Sequence, residues 1–194
     1  MGAKPDMALK FSSRNAGLVG LDITATSVKL LELKPTKKGH KVVSYTVEPL
    51  PANAVNEKNL QDVEAVGDAI RRAVKRSGTR TKACAVAVPS AMVITKVIQM
   101  PDDLKDHEMD AQIQLEADQY IPYALEEVNL DFDVMGPSEE AHGMVDVLLA
   151  ASRSENVEDR TAAAEIGGLD VKIVDVEPYT ICLLYTSPSP RDRG

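Results

Sequence analysis

A chain of 194 residues, 44% hydrophobic and 27% charged, is long enough to bury a core without a disulfide or metal staple. Its formal net charge of -8 argues against a general nucleic-acid grip and against a polybasic membrane patch. Two cysteines exclude a disulfide scaffold and make reduced thiols in a cytoplasmic compartment the default, and no apolar run is long enough to span a membrane.

The first residues, MGAKPDMALKFSS, lack the apolar core of a signal peptide, and Asp6 breaks a myristoylation signal. Residues 1–14 read as a loose lead-in. Leu18 to Ile23 is an apolar run broken by one Asp and reads as a buried strand. A small hydroxylated turn, Thr24-Ala25-Thr26-Ser27, leads to a second strand from Val28 to Lys34. Lys37-Lys38-Gly39 supplies a hairpin turn, and His40 to Val47 is the third strand. In the next segment Leu60, Val63, Gly67, Ile70 and Val74 fall on one helical face, and Gly78 sits where a helix-stopping glycine belongs. Arg71, Arg72, Lys75 and Arg76 crowd the last turns, where they complement the negative end of the helix dipole.

Thr81 to Met100 carries two strand-like runs around Pro89-Ser90, with Cys84 a small buried hydrophobe, not a nucleophile. Asp102, Asp103 and Asp106 open a second helix on which Met109, Ile113, Ala117 and Tyr120 recur at helical spacing. Tyr120, Tyr123 and Leu125 at its exit read as core packing, with a place in a partner-binding groove as the alternative. Asn129 to Val134 alternates as a half-exposed strand, and Val145 to Ala151 reads as a strand buried on both faces. A third helix runs from Glu155 to Ile166 with Ser154 as N-cap, and Leu169 to Val176 is the last strand. The order is α/β with antiparallel strands, not a doubly wound sheet. His40, His107 and His142 are scattered without zinc-ligand spacing.

The C-terminus, CLLYTSPSPRDRG, has neither helical nor strand period. Cys182 to Asp192 back-translates, codon for codon, into a sequence resembling the transposase adapter of library sequencing. Residues 182–194 are therefore expected to be non-native, with Cys182 and Tyr185 carrying no function. Without those residues the charge becomes -9, from 20 basic and 29 acidic residues, since two Arg and one Asp are removed.

Gly20-Leu21-Asp22-Ile23-Thr24-Ala25-Thr26-Ser27-Val28-Lys29 is the stretch that carries chemistry. It puts a carboxylate at a strand end, then small turn residues, then a lysine on the returning strand. Backbone amides in such a turn can approach phosphate oxygens. The hydroxyls of Thr24, Thr26 and Ser27 can donate, Lys29 can offset phosphate charge, and Asp22 can hold Mg²⁺ through water. An ordinary hairpin whose Asp caps the turn accounts for the same residues.

This stretch resembles the first phosphate motif of the actin-like ATPase superfamily. More specifically, GLDITATSVKLLEL, VEPLPANAVNEKN, AVAVPSAMVITKVIQMP, LEADQYIPYALEEVNLDFDV, VDVLLAASRSENVE and GLDVKIVDVEPY resemble the PilM family of type IV pilus assembly proteins over residues 15 to 180. The resemblance implies an actin-like, ribonuclease H-like fold, first lobe only. It implies a subdomain 1A at 15–81, an inserted FtsA-type, SHS2-like subdomain 1C at 82–153, and a return to 1A at 154–181. It implies a cytoplasmic protein, peripheral at the inner membrane, that binds the N-terminal cytoplasmic peptide of PilN in a groove between 1A and 1C. Other inner-membrane pilus components and self-association are further partners it implies, and ATP with Mg²⁺ is the cofactor. Two positions depart from the superfamily pattern: its glycine is Thr24 here, and its next hydroxyl is Ala25. One lost donor weakens binding by about 0.5–1.5 kcal/mol. The second phosphate motif and the adenosine motif follow later in the family. The chain alone is thus expected neither to close an ATP site nor to hydrolyse ATP. An FtsA-like division scaffold and an actin-like small-molecule kinase are the alternatives.

Overall fold

The computed structural model describes residues 17–177; the lead-in at 1–14, Pro178, Tyr179 and the expected foreign tail at 182–194 lie outside them. Alternating apolar residues give three strands, β1 (Val19–Ile23), β2 (Ser27–Thr36) and β3 (Gly39–Pro49), in an antiparallel meander. Two short strands follow, β4 (Val55–Asn56) and β5 (Asn59–Leu60), paired as a small hairpin where the sequence predicts the lead into a helix. Its turn residues Glu57 and Lys58 have φ of 48° and 75°, the left-handed values that a tight two-residue hairpin requires at both positions. The buried Arg160 donates from Nη2 to the Lys58 carbonyl at 2.7 Å and so fixes this turn.

Helix α1 (Val63–Ser77) begins where the Asp62 side chain accepts from the Ala65 amide at 2.9 Å and ends at Gly78, whose φ is 68°. Its buried stripe is Val66, Gly67, Ala69, Ile70 and Ala73. Leu60 belongs to β5, and Val63 and Val74 are only half-buried, so the stripe is rotated from the predicted one. The remaining elements are β6 (Ala83–Val88), β7 (Val93–Pro101), α2 (Asp106–Ala117), β8 (Val128–Pro137), β9 (Met144–Arg153), α3 (Ser154–Ile166) and β10 (Asp170–Val176).

These elements form two compact units, one of residues up to Ser90 together with Asn156 onward, the other Ala91–Glu155. In the first, the sheet order is β10-β6-β1-β2-β3. β1 and β10 both run parallel to β6, beside the antiparallel strands that the sequence reading expects. Strand composition does not encode direction; the long connections through α1 and α3 do, because parallel neighbours need a crossover. Val19, Leu21, Val28 and Leu30 of the sheet are buried, as are Val66, Ile70 and Ala73 of α1 and Val157, Ala163 and Ala164 of α3. Helices α1 and α3 approach closely at two glycines: a Cβ on Gly67 would strike Ile166, and one on Gly167 would strike Ile70.

In the second unit, β7 and β8 flank β9 in an antiparallel sheet of order β7-β9-β8. Met109, Ile113 and Ala117 of α2 cluster with Ile98, Met100, Val147, Leu149 and Ala151 of the sheet. Four expectations are corrected here. Asp102 and Asp103 precede the helix in a turn, and the helix starts where the Lys105 amide donates to the Glu108 carboxylate at 3.0 Å. Tyr120 lies outside α2. Tyr120 and Tyr123 are 41% and 42% exposed and are not core residues. Strand β9 is buried on the face of Val147, Leu149 and Ala151, whereas Asp146, Leu148 and Ala150 on the other face are half-buried.

Candidate functional site

The turn between β1 and β2 is closed by Thr24 alone. Its amide and its hydroxyl both donate to the Ser27 carbonyl, at 2.9 and 2.8 Å, and its Oγ1 accepts from the Ser27 amide at 3.1 Å. Thr24 is therefore not the free phosphate donor that its hydroxyl suggests. Nor does the turn need glycine there: the non-glycine residues at positive φ are Asn53, Glu57 and Lys58. A side-chain clamp does the work that backbone freedom does elsewhere.

Closing the turn at Thr24 and Ser27 leaves Ala25 and Thr26 exposed at its apex. Among the described residues, neither of their amides makes a backbone hydrogen bond. The Thr26 carbonyl accepts from the Leu50 amide at 2.9 Å, which anchors the apex from behind. Asp22 and Lys29 are cross-strand partners, and Lys29 Nζ donates to Asp22 Oδ2 at 2.9 Å. That hydrogen bond, with the charge of Asp22, holds the Lys29 ammonium above its ordinary pKa, so the lysine carries its charge at every physiological pH. Both side chains remain nearly half exposed.

The site lies at the C-terminal ends of the parallel strands β1, β6 and β10, the edge at which open α/β sheets place their ligands. Leu21 pairs with Val86, so Asp22 is level with Ala87, and Ala87 pairs in turn with Asp175 of β10. Asp22 and Asp175 thus share one face of the sheet, two strand spacings apart or roughly 9.5 Å between backbones, with only an alanine methyl between them. Burial pushes the Asp175 carboxyl up, opposed by the Val176 amide, which donates to Oδ1 at 2.7 Å. Sequence reasoning did not reach Asp175; the available signal was an acid inside an apolar run, Val174-Asp175-Val176, near a strand end.

The donor set suits a phosphate with a hydrated cation: two amides of exposed residues without a backbone partner, one ammonium, and a carboxylate that meets the lysine through Oδ2. Cys84 is buried, its thiol pushed up to about 12 by burial and then by Asp170, which makes it inert. No group of His, Cys, Asp and Glu residues that could hold a metal directly occurs among the described residues. Arg72 and Arg76 do more than complement a dipole: they hold the buried Glu48 of β3 at 2.8 and 2.6 Å.

A family model described as type IV pilus assembly protein PilM matches residues 20–187. Among solved structures, the PilM-PilN type IV pilus biogenesis complex matches with a TM-score of 0.74 and 29% sequence identity, covering 84% of this chain and 48% of that one. The cytoplasmic domain of EpsL, an inner membrane component of the type II secretion system of Vibrio cholerae, matches with a TM-score of 0.53 at 10% identity, over 83% of this chain and 57% of that one. The second likeness is one of fold alone. The fold is the mixed α/β, actin-like one, and the chain spans about half the length of the solved structures it matches.

Proposed function

This chain belongs to the PilM family of type IV pilus assembly proteins, and from that premise we propose that it works in pilus assembly by receiving the N-terminal cytoplasmic peptide of an inner-membrane PilN protein. The observation that carries this reading is the match to the PilM-PilN complex over 84% of the chain. Binding PilN places the protein at the cytoplasmic face of the inner membrane, where it links the membrane-embedded assembly components to the pilus machinery. No helix among the described residues is long and apolar enough to cross a membrane. The chain displayed on beads is expected to retain a PilN tail peptide and to pass a scrambled one. Equal retention of the two would contradict the reading.

The nucleotide reading is narrower. In our proposal the Ala25 and Thr26 amides hold a phosphate, with Thr24 and Ser27 shaping the turn behind them. Lys29 offsets the phosphate charge, and Asp22 orients hydrated Mg²⁺ through water. These residues make one wall of an ATP site, because the chain covers 48% of the matched PilM chain. In the same proposal the chain by itself holds a phosphate without catalysing its transfer. The match of the PilM family model over residues 20–187 supports this role over a division scaffold or a small-molecule kinase.

A further inference from the structure

Beyond Glu32, the last residue of β2 paired with β1, strands β2 and β3 continue as a two-stranded ribbon that no third strand among the described residues supports. Every residue from Leu33 to Val43 is exposed except Gly39, which is half-buried. The ribbon has a defined shape. Thr36 Oγ1 donates to the Gly39 carbonyl at 3.0 Å across the Lys37-Lys38 turn, and a register shift after Glu32 bends its root.

Its composition is opposite to that of the molecule. From Leu33 to Val47 the sequence has four lysines, one histidine and no acid, in a chain of net charge -8. Lys34 and Lys41 are direct cross-strand partners, an arrangement that destabilises a hairpin by like-charge repulsion. None of Lys34, Lys37, Lys38 and Lys41 has an acidic partner among the described residues. Protection of a sheet edge explains Lys34 and Lys41, since both strands of the ribbon are edges, but not the two lysines at the tip. The other face of the ribbon is apolar. Leu33 pairs with Val42 there, and the Leu31–Tyr45 pair continues that face at the ribbon's root, where β1 still pairs with β2; Val42, Val43 and Tyr45 are 57%, 53% and 60% exposed.

We propose that this β2–β3 ribbon docks onto an anionic lipid bilayer surface. An amphipathic element with lysines on one face and apolar side chains on the other lies in the membrane interface, its apolar face sunk to the acyl boundary and its cations among the headgroups. Here Leu33, Val42 and Tyr45 supply the sunken face. Lys34 and Lys41, with Lys37 and Lys38 at the tip, reach the headgroups on flexible stems. Lysines without acidic partners beside exposed apolar side chains match the two components of an anionic bilayer surface, its headgroups and its acyl boundary. The net negative charge confines contact to this arm, since the rest of the surface is repelled.

The test is co-sedimentation of the full 194-residue chain with vesicles of phosphatidylglycerol and phosphatidylcholine in equal parts, against phosphatidylcholine alone. Binding at least about tenfold stronger to the anionic vesicles, and lost in high salt, is expected. Two variants are compared with the parent after circular dichroism has shown both to be folded: Lys34→Glu with Lys37→Glu, Lys38→Glu and Lys41→Glu, and Val42→Ser with Val43→Ser. The first abolishes vesicle binding and the second weakens it severalfold. Unchanged binding by either variant overturns the proposal. So does capture of the parent chain by soluble polyglutamate but not by vesicles, which would assign the arm to an acidic protein instead.

Discussion

Glu48 is a carboxylate buried on the inner face of β3, and it stays charged because two arginines one helical turn apart, Arg72 and Arg76, reach it from α1. The hydrogen bond from Arg72 holds its carboxyl below the usual range; burial opposes this, and Arg76 reinforces it. A depressed pKa in the folded state means stability that is full above the ordinary carboxylate value and is lost as the pH falls through the depressed one. Glu48→Gln is therefore expected to lower stability by about 1 kcal/mol at neutral pH in urea titrations. The gap should close in acid, below the carboxylate range. A gap that persists there would mean that packing, not charge, sets the effect. Nothing in the local sequence around Arg72 announces this pairing, because its partner lies 24 residues away on another element. The same blindness to distance explains Tyr120 and Tyr123. An aromatic pair after a helix reads as core, yet Lys96 and Arg153 sit over the two rings at 5.4 and 5.6 Å at the surface.

Elements were the most legible scale. The alternation in β1 to β3, the stop at Gly78 and the small-residue strand β6 all follow from local rules and stand where those rules put them. The β4–β5 hairpin escaped because its turn uses Glu57 and Lys58 at positive φ, with no glycine or asparagine to signal it. Gly67 was legible as a residue of the helix face, but not for its reason. A glycine inside a helix costs about 1 kcal/mol relative to alanine, and here it is kept because Ile166 of α3 occupies the space of a side chain. Gly67→Ala should consequently destabilise by about 1–3 kcal/mol through overpacking, despite the better helix propensity. Chemical denaturation gives the sign directly, and a stabilised variant would show that α1 and α3 do not meet as described. The phosphate turn lies between these cases. Asp22 and Lys29 were readable from spacing and are joined in space, whereas the clamp at Thr24 and the level placement of Asp175 depend on register.

At the scale of the molecule, a single net charge proved a poor guide. A total of -8 argues against a polybasic patch, yet the four lysines of the β2–β3 ribbon are gathered on one arm with no acid between Leu33 and Val47. Length misleads in a related way, since these 194 residues span 48% of the PilM chain they match best in sequence identity among the two structures compared. One wall of a nucleotide site should bind nucleotide feebly. Calorimetry of the chain with MgATP is expected to give a Kd weaker than about 1 mM, less than about 4 kcal/mol of binding free energy. Micromolar affinity would mean that the turn from Thr24 to Ser27, with Asp22 and Lys29, forms a complete site after all.

The account rests most heavily on the chain acting as a PilM-family protein that accepts a PilN peptide. Fluorescence anisotropy of a labelled PilN tail peptide, titrated with this chain and then challenged with unlabelled peptide, measures that directly. Saturable binding that unlabelled tail reverses and scrambled peptide does not is the predicted result; no anisotropy change, or equal competition by the scrambled peptide, would contradict it.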